Sequence, residues 1–192
     1  MAWAPESIRP CAGLSSQEQG TSGPERMMPE TPAIFIEPFA SADREECLRV
    51  FDSNTPRFFA PEERAAFAAF LDASPGPFWV VRLEASLRVV GCGGVSIAPD
   101  GRTAWLRWGM VANNEHGGGI GRRLLSMRLG WIDERGGVET VRVATTPAAS
   151  GFFQQLGFAR LRVTPNGYGP GLDRHDLILP AGARVGQMDA LS

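Results

Sequence analysis

Cysteine is scarce. The 192-residue chain holds three, Cys11, Cys47 and Cys92, widely spaced and without a Cys-x-x-Cys pair. A disulfide framework is therefore not expected, and two distant histidines, His116 and His175, offer no zinc-ligand spacing. No metal is expected. No apolar run approaches the ~20 residues needed to cross a bilayer. The N-terminus also lacks the basic and apolar regions of a secretory signal. Together these absences predict reduced thiols in a cytoplasmic protein with no membrane attachment. An excess of charge is missing too: 19 basic and 21 acidic residues leave a net charge of -2. Such a balance is not that of a surface built to neutralise nucleic-acid phosphates. What remains is an ordinary globular composition, 43% hydrophobic and 21% charged, in a length suited to one domain.

Residues 1–32 are rich in Ser, Gly, Pro, Glu and Gln and show no hydrophobic periodicity. Such a segment cannot bury enough apolar area to offset its ordering entropy, so a disordered extension is expected. A polar tail is expected over 181–192. The folded unit should span 33–180.

Within it, residues 33–37 read as a strand and 43–51 as a helix. Pro61 opens a second helix with Glu62 and Glu63 in its first turn, where acidic groups suit the helix dipole. Its apolar stripe is Ala66, Phe67, Phe70 and Leu71. Strands follow over 78–84, 88–97 and 103–111, separated by turn signals such as Pro99-Asp100-Gly101. A long helix over 119–135 stops at Gly136-Gly137. A strand over 140–145 leads into a short helix with Thr146 as cap and Pro147 as first residue. Two strands, 158–164 and 174–179, flank a Gly/Pro loop. The order βααβββαβαββ predicts a single α/β domain with a mixed sheet and about four helices.

The most informative stretch is His116-Gly117-Gly118-Gly119-Ile120-Gly121-Arg122-Arg123, between a strand and an amphipathic helix. Glycines let a ligand approach the backbone closely, and the orphan N–H groups of a helix start bind anions. Arg122 and Arg123 oppose the helix dipole by ~0.3–1 kcal/mol each, a penalty that a bound pyrophosphate would reverse. The loop lacks the Gly-Lys-Ser/Thr of a Walker A motif and the Gly-x-Gly-x-x-Gly of a dinucleotide site.

This stretch resembles the Arg/Gln-x-x-Gly-x-Gly/Ala motif of the GNAT superfamily of acyl-CoA-dependent N-acetyltransferases, with His116 at the first position. Ala149 to Phe158 resembles the family's Ala-x-x-Phe-Tyr-x-x-x-Gly-Phe, with Phe153 at the tyrosine. The likeness extends over about 33–180. It implies a mostly antiparallel sheet with a V-shaped splay and acetyl-CoA as cosubstrate. The implied cofactor contacts are Met110, Val111, His116, Gly117, Gly118, Gly119, Ile120, Gly121, Arg122, Thr146 and Phe153. Gly109, mid-strand, marks a bulge or close backbone approach.

The resemblance further implies direct attack of a primary amine on the thioester, in which proximity is worth ~7–11 kcal/mol and each proton-transfer group ~10²–10⁴-fold. Phe153 cannot donate a proton; Tyr168, the chain's only tyrosine, is the candidate acid. Asp52, Glu84, Asp173, His175 or a water remain open as base. The acceptor, a small molecule or peptide, would meet a wall including Asp52, Asn54, Phe58 and Trp108, with Trp105 lining the same cleft. A catalytically weak acyl-CoA sensor is the alternative, and a homodimer is left open.

Overall fold

The computed structural model describes residues 32–73 and 76–180, so the expected 1–32 extension (Pro32 apart) and the 181–192 tail lie outside the described residues. Seven strands and four helices form one α/β domain. They are β1 (Ile34–Pro38), α1 (Arg44–Ser53), α2 (Glu63–Asp72), β2 (Phe78–Leu83), β3 (Val89–Ile97), β4 (Thr103–Val111), α3 (Ile120–Arg135), β5 (Thr140–Thr145), α4 (Pro147–Gln155), β6 (Ala159–Thr164) and β7 (Arg174–Pro180).

The sheet runs β1-β2-β3-β4-β5-β7-β6, and β4 with β5 is its one parallel pair among the described residues. The pairs from β1 to β4 are antiparallel; α1 and α2 lie in the connection from β1 to β2, and short turns join β2 to β3 and β3 to β4. The α3 crossover is what brings β5 alongside β4 in parallel.

Two successive residues of β3 fix the layers. Cys92 meets Cys47 of α1, whereas a side chain at Gly93 would meet Arg128 of α3. Neighbouring strand residues point to opposite faces. The first two helices therefore cover one face and α3 the other. Phe51, Phe67, Leu48, Val80 and Val81 centre the first core cluster, while Leu125, Leu129, Val141, Leu177 and Leu179 centre the second.

Arg82 ties the layers at one edge, pairing with Glu37, Asp43 and Glu46. Met127 and Trp131 of α3 are only partly buried. The charged residue Arg128 takes a fully buried position there instead.

Candidate functional site

The β4–β5 ladder has three rungs, ending at Trp105↔Arg142. Beyond them β4 runs on to Val111 without a β5 partner, which opens the sheet into a V. The free side of β4 is thus a row of backbone groups facing a cleft.

A bulge sits in that open stretch. Cys92 pairs with Met110 and Gly94 with Arg107, so Gly93 alone opposes Trp108 and Gly109. Trp108 takes a φ of 45°, a strained conformation for a bulky residue that costs about 1–3 kcal/mol. Its ring is held by Phe67 at 5.0 Å, Phe70 at 6.1 Å, Phe59 at 6.2 Å and Phe51 at 6.5 Å between centroids. Trp108 is thus clamped, partly buried, in the aromatic layer under α1 and α2.

Gly109, beside it, is exposed. A Cβ there would come within 2.7 Å of Arg128 Nη1. The guanidinium of Arg128 lies beneath the bulge, its Nε donating to the Leu124 carbonyl at 3.3 Å and its Nη1 buried without a partner. Burial pulls its pKa down to about 10, the neighbouring Cys92 opposing the fall.

At the end of β4 the Val111 carbonyl accepts two hydrogen bonds, from Asn54 Nδ2 at 2.8 Å and from His116 Nε2–H at 2.8 Å. Asn54 also donates to Val50 at 2.8 Å. Both of its amide hydrogens brace α1 against the strand, so this side chain is a strut rather than a substrate contact. His116 closes the turn and packs edge-on against Phe58 at 5.3 Å. Both lone pairs of the Val111 carbonyl are thereby occupied.

Gly117 and Gly119 follow with φ of 89° and 79°, values that suit glycine and steer the chain into α3. Gly119 is the N-cap, and no side chain caps the helix or places a carboxylate in its first turn. Gly121 faces Phe152 of α4 at ordinary contact distance. Arg122 is exposed, and Arg123 turns back to the carbonyls of Pro32 and Ile34 at 3.3 and 3.2 Å.

On the β5 side, Thr146 has the extended backbone of an N-cap but makes no capping hydrogen bond. Its Oγ1 is buried and unpartnered. The expected side-chain cap is absent because backbone groups of Ala149 and Ser150 reach only the Thr146 carbonyl. Phe153 is buried and packs edge-to-face on Phe158 at 5.4 Å and Phe152 at 5.1 Å.

Tyr168 sits in the β6–β7 loop, where the Asn166 amide oxygen accepts from Gly171 N–H at 2.6 Å and Asp173 accepts from Asn166 N–H at 2.9 Å. Burial pushes the phenol up to about 12; Arg174 opposes the rise, Glu63 and Asp176 add to it, and Arg107 opposes it. The phenol thus lies within electrostatic reach of Glu63 on α2 and Arg107 on β4. Glu63 was legible only as a helix-start acid. Burial raises its carboxyl above the ordinary range, a hydrogen bond from Ala60 N–H opposing and Glu62 adding.

Of the base candidates read from the sequence, two have structural partners, one is exposed and one is buried. Asp52 pairs with Arg64 at 2.7 Å, Asp173 holds its turn, and Glu84 is exposed beside the β2–β3 turn. His175 is buried among the β7 residues, with Nδ1 unpartnered. Among the described residues no group of three or more His, Cys, Asp or Glu is placed to hold a metal ion, and no helix is long and apolar enough to cross a membrane.

The acetyltransferase (GNAT) family model matches residues 47–158, more than half of the chain, and the protein belongs to that family. Solved structures agree on the fold. A GCN5-related N-acetyltransferase from Kribbella flavida is 20% identical with a TM-score of 0.63, covering 77% of this chain and 98% of its own. The ribosomal-protein-S18-alanine N-acetyltransferase from Escherichia coli is 16% identical with a TM-score of 0.62, covering 77% and 94%. yncA from Salmonella typhimurium, solved with its cofactor acetyl-CoA, is 19% identical with a TM-score of 0.61, covering 77% and 94%. No curated protein matches the chain in sequence.

Proposed function

We propose that this protein transfers an acetyl group from acetyl-CoA to a primary amine by direct attack on the thioester. The observation that carries the reading is a helix start whose N–H groups lack any side-chain cap or carboxylate, set beside an unpaired strand edge with an exposed bulge. The first N–H groups of α3, from Gly119 to Arg122, are suited to a pyrophosphate, and Gly117 and Gly118 keep the approach free of side chains. Met110 and the N–H side of Val111 serve the pantetheine arm, the Val111 carbonyl being engaged elsewhere. The buried Thr146 hydroxyl offers a further hydrogen bond from the β5 side. Phe152 and Phe153 supply an apolar flank.

Acetyl-CoA brings the activated acyl group, and the chain's own residues then orient it and manage two protons. Backbone N–H groups at the Trp108–Gly109 bulge polarise the thioester carbonyl. Tyr168 stays protonated through the neutral range and donates to the departing sulfur, the role Phe153 cannot fill. Glu63, with its raised carboxyl, takes the amine proton through water. Phe58 and the Asp52–Arg64 pair border the acceptor side. In this reading the enzyme is cytoplasmic and acts without metal, membrane or nucleic acid.

The sensor reading draws on Phe153, a core ring where an acid is expected. Free-thiol release from acetyl-CoA with a panel of primary amines separates the two. Amine-dependent release is expected; tight coenzyme A binding with no release above background for any amine would establish the sensor.

A further inference from the structure

The face of β4, β5, β7 and β6 turned away from α3 and α4 contains a cavity of about 370 Å³, lined chiefly by Trp105, Arg142, Leu161, Arg162, Arg174 and Asp176. Alternation explains its polarity. Val141, Val143, Leu177 and Leu179 point into the core, so Arg142, Arg174 and Asp176 point the other way.

The charges in it do not balance. Asp176 is the one carboxylate of this lining. Its Oδ1 accepts from Arg174 Nε and Nη2 at 2.9 and 2.7 Å, and its Oδ2 from Arg162 Nε at 3.3 Å. Both oxygens are engaged. Arg142 pairs with no carboxylate among the described residues: its Cζ lies 5.7 Å from the Trp105 ring centroid, and its Nε is buried with no hydrogen-bond partner. Arg107, exposed two residues along the same face of β4, lines a neighbouring cavity and acts electrostatically on Tyr168. A partly buried guanidinium such as that of Arg142, held against a ring and without an ion pair among the described residues, is better satisfied when an anion joins it. Every Lys-or-Arg position of the chain is arginine, and the planar fork matches carboxylate and phosphate oxygens in pairs.

The cavity also lies where an acceptor must lie. Trp105↔Arg142 is the last rung before the V opens, and Arg174 and Asp176 both act on the Tyr168 phenol. We infer that the cavity binds an oxyanion of the acceptor, which is a small amine carrying a carboxylate or a phosphate-like group, gripped by Arg142 and Arg174 while its amine points to the bulge. The acceptor assignment rests on the acetyl-transfer reading; the anion site does not.

Calorimetric titration of the full chain with succinate and with inorganic phosphate tests the site, and the tighter of the two names the oxyanion. Saturable binding is expected, weakened at least about tenfold by Arg142→Gln, which loses a charged hydrogen-bond donor. Arg88→Gln, whose guanidinium pairs with Glu115 away from the cavity, should leave it unchanged. Coenzyme A affinity should be the same in both variants. With acetyl-CoA present, glutamate or 2-aminoethylphosphonate should release more thiol than ethylamine or spermidine. Absence of saturable anion binding, equal binding by Arg142→Gln, or a preference for spermidine overturns the inference. Arg142-dependent anion binding in a chain that ignores coenzyme A would sink acetyl transfer and the acceptor assignment, and leave the anion site standing.

Discussion

Adding one methyl group at Gly109 probes the packing under the bulge. Gly109 does not take a positive φ, so its need for glycine comes from the space below it. A Cβ would lie 2.7, 2.9 and 3.2 Å from Nη1, Nη2 and Cζ of Arg128, and one at Gly93 would lie 2.9 Å from the same Nη1. The guanidinium is sandwiched and cannot step aside without losing its bond to Leu124. Overpacking of this kind costs about 1–3 kcal/mol.

Arg128 carries its own penalty. Burial lowers its pKa to about 10, and at about 1.4 kcal/mol for each tenfold change in proton affinity the drop amounts to about 3 kcal/mol against the charged folded state. The folded value is depressed for a base, so the penalty is fully present wherever the arginine is charged, including the whole neutral range. Arg128→Met should therefore stabilise the domain by about 1–3 kcal/mol, part of the gain being lost to imperfect packing. In that background Gly109→Ala should be nearly neutral, giving a coupling of about 1–2 kcal/mol in a double-mutant cycle. Urea unfolding at neutral pH measures all four corners. Gly109→Ala being harmless alone, or equally costly in the Arg128→Met background, would refute the reasoning.

Three further substitutions address the chemistry. Tyr168→Phe should lower turnover by about 10²-fold or more while leaving coenzyme A affinity intact; steady-state kinetics with any working acceptor decides this, and unchanged turnover removes Tyr168 from the mechanism. Glu63 should set the acid limb of the activity profile. Because its carboxyl is raised, the rate should climb with pH only above the ordinary carboxylate range, and Glu63→Gln should flatten that limb. A limb that persists in the variant belongs to another group. Thr146→Val should act in opposite directions, since removing a buried unpartnered hydroxyl stabilises the free protein by about 1 kcal/mol and weakens coenzyme A binding. Equal affinity in both forms would mean that the hydroxyl touches no cofactor.

The fold was largely legible because its signals are local. The turn at Pro99-Asp100-Gly101 and the Thr146-Pro147 helix start fix element ends that the structure reproduces within one or two residues. The glycine run announced the loop for the same reason: its function lies in its own backbone. Gly109 could be read as a bulge, but its partner Arg128 could not, because a buried arginine in an apolar stripe has no local explanation. Asn54 looked like an acceptor contact until the fold set it beside Val111, 57 residues away. Glu63 was hidden by an adequate local role at a helix start. Residues whose meaning depends on a partner across the sheet stayed unread.

The decisive measurement is calorimetric titration of coenzyme A into the wild-type chain and into Gly119→Val, which forces a β-branched residue into a φ of 79° at the helix start. One equivalent should bind the wild type at about micromolar strength or tighter, and the variant at least about tenfold more weakly while keeping its fold by circular dichroism. A wild-type chain that takes up no coenzyme A, or a variant that binds it undiminished, would contradict the assignment of the phosphate grip to this turn.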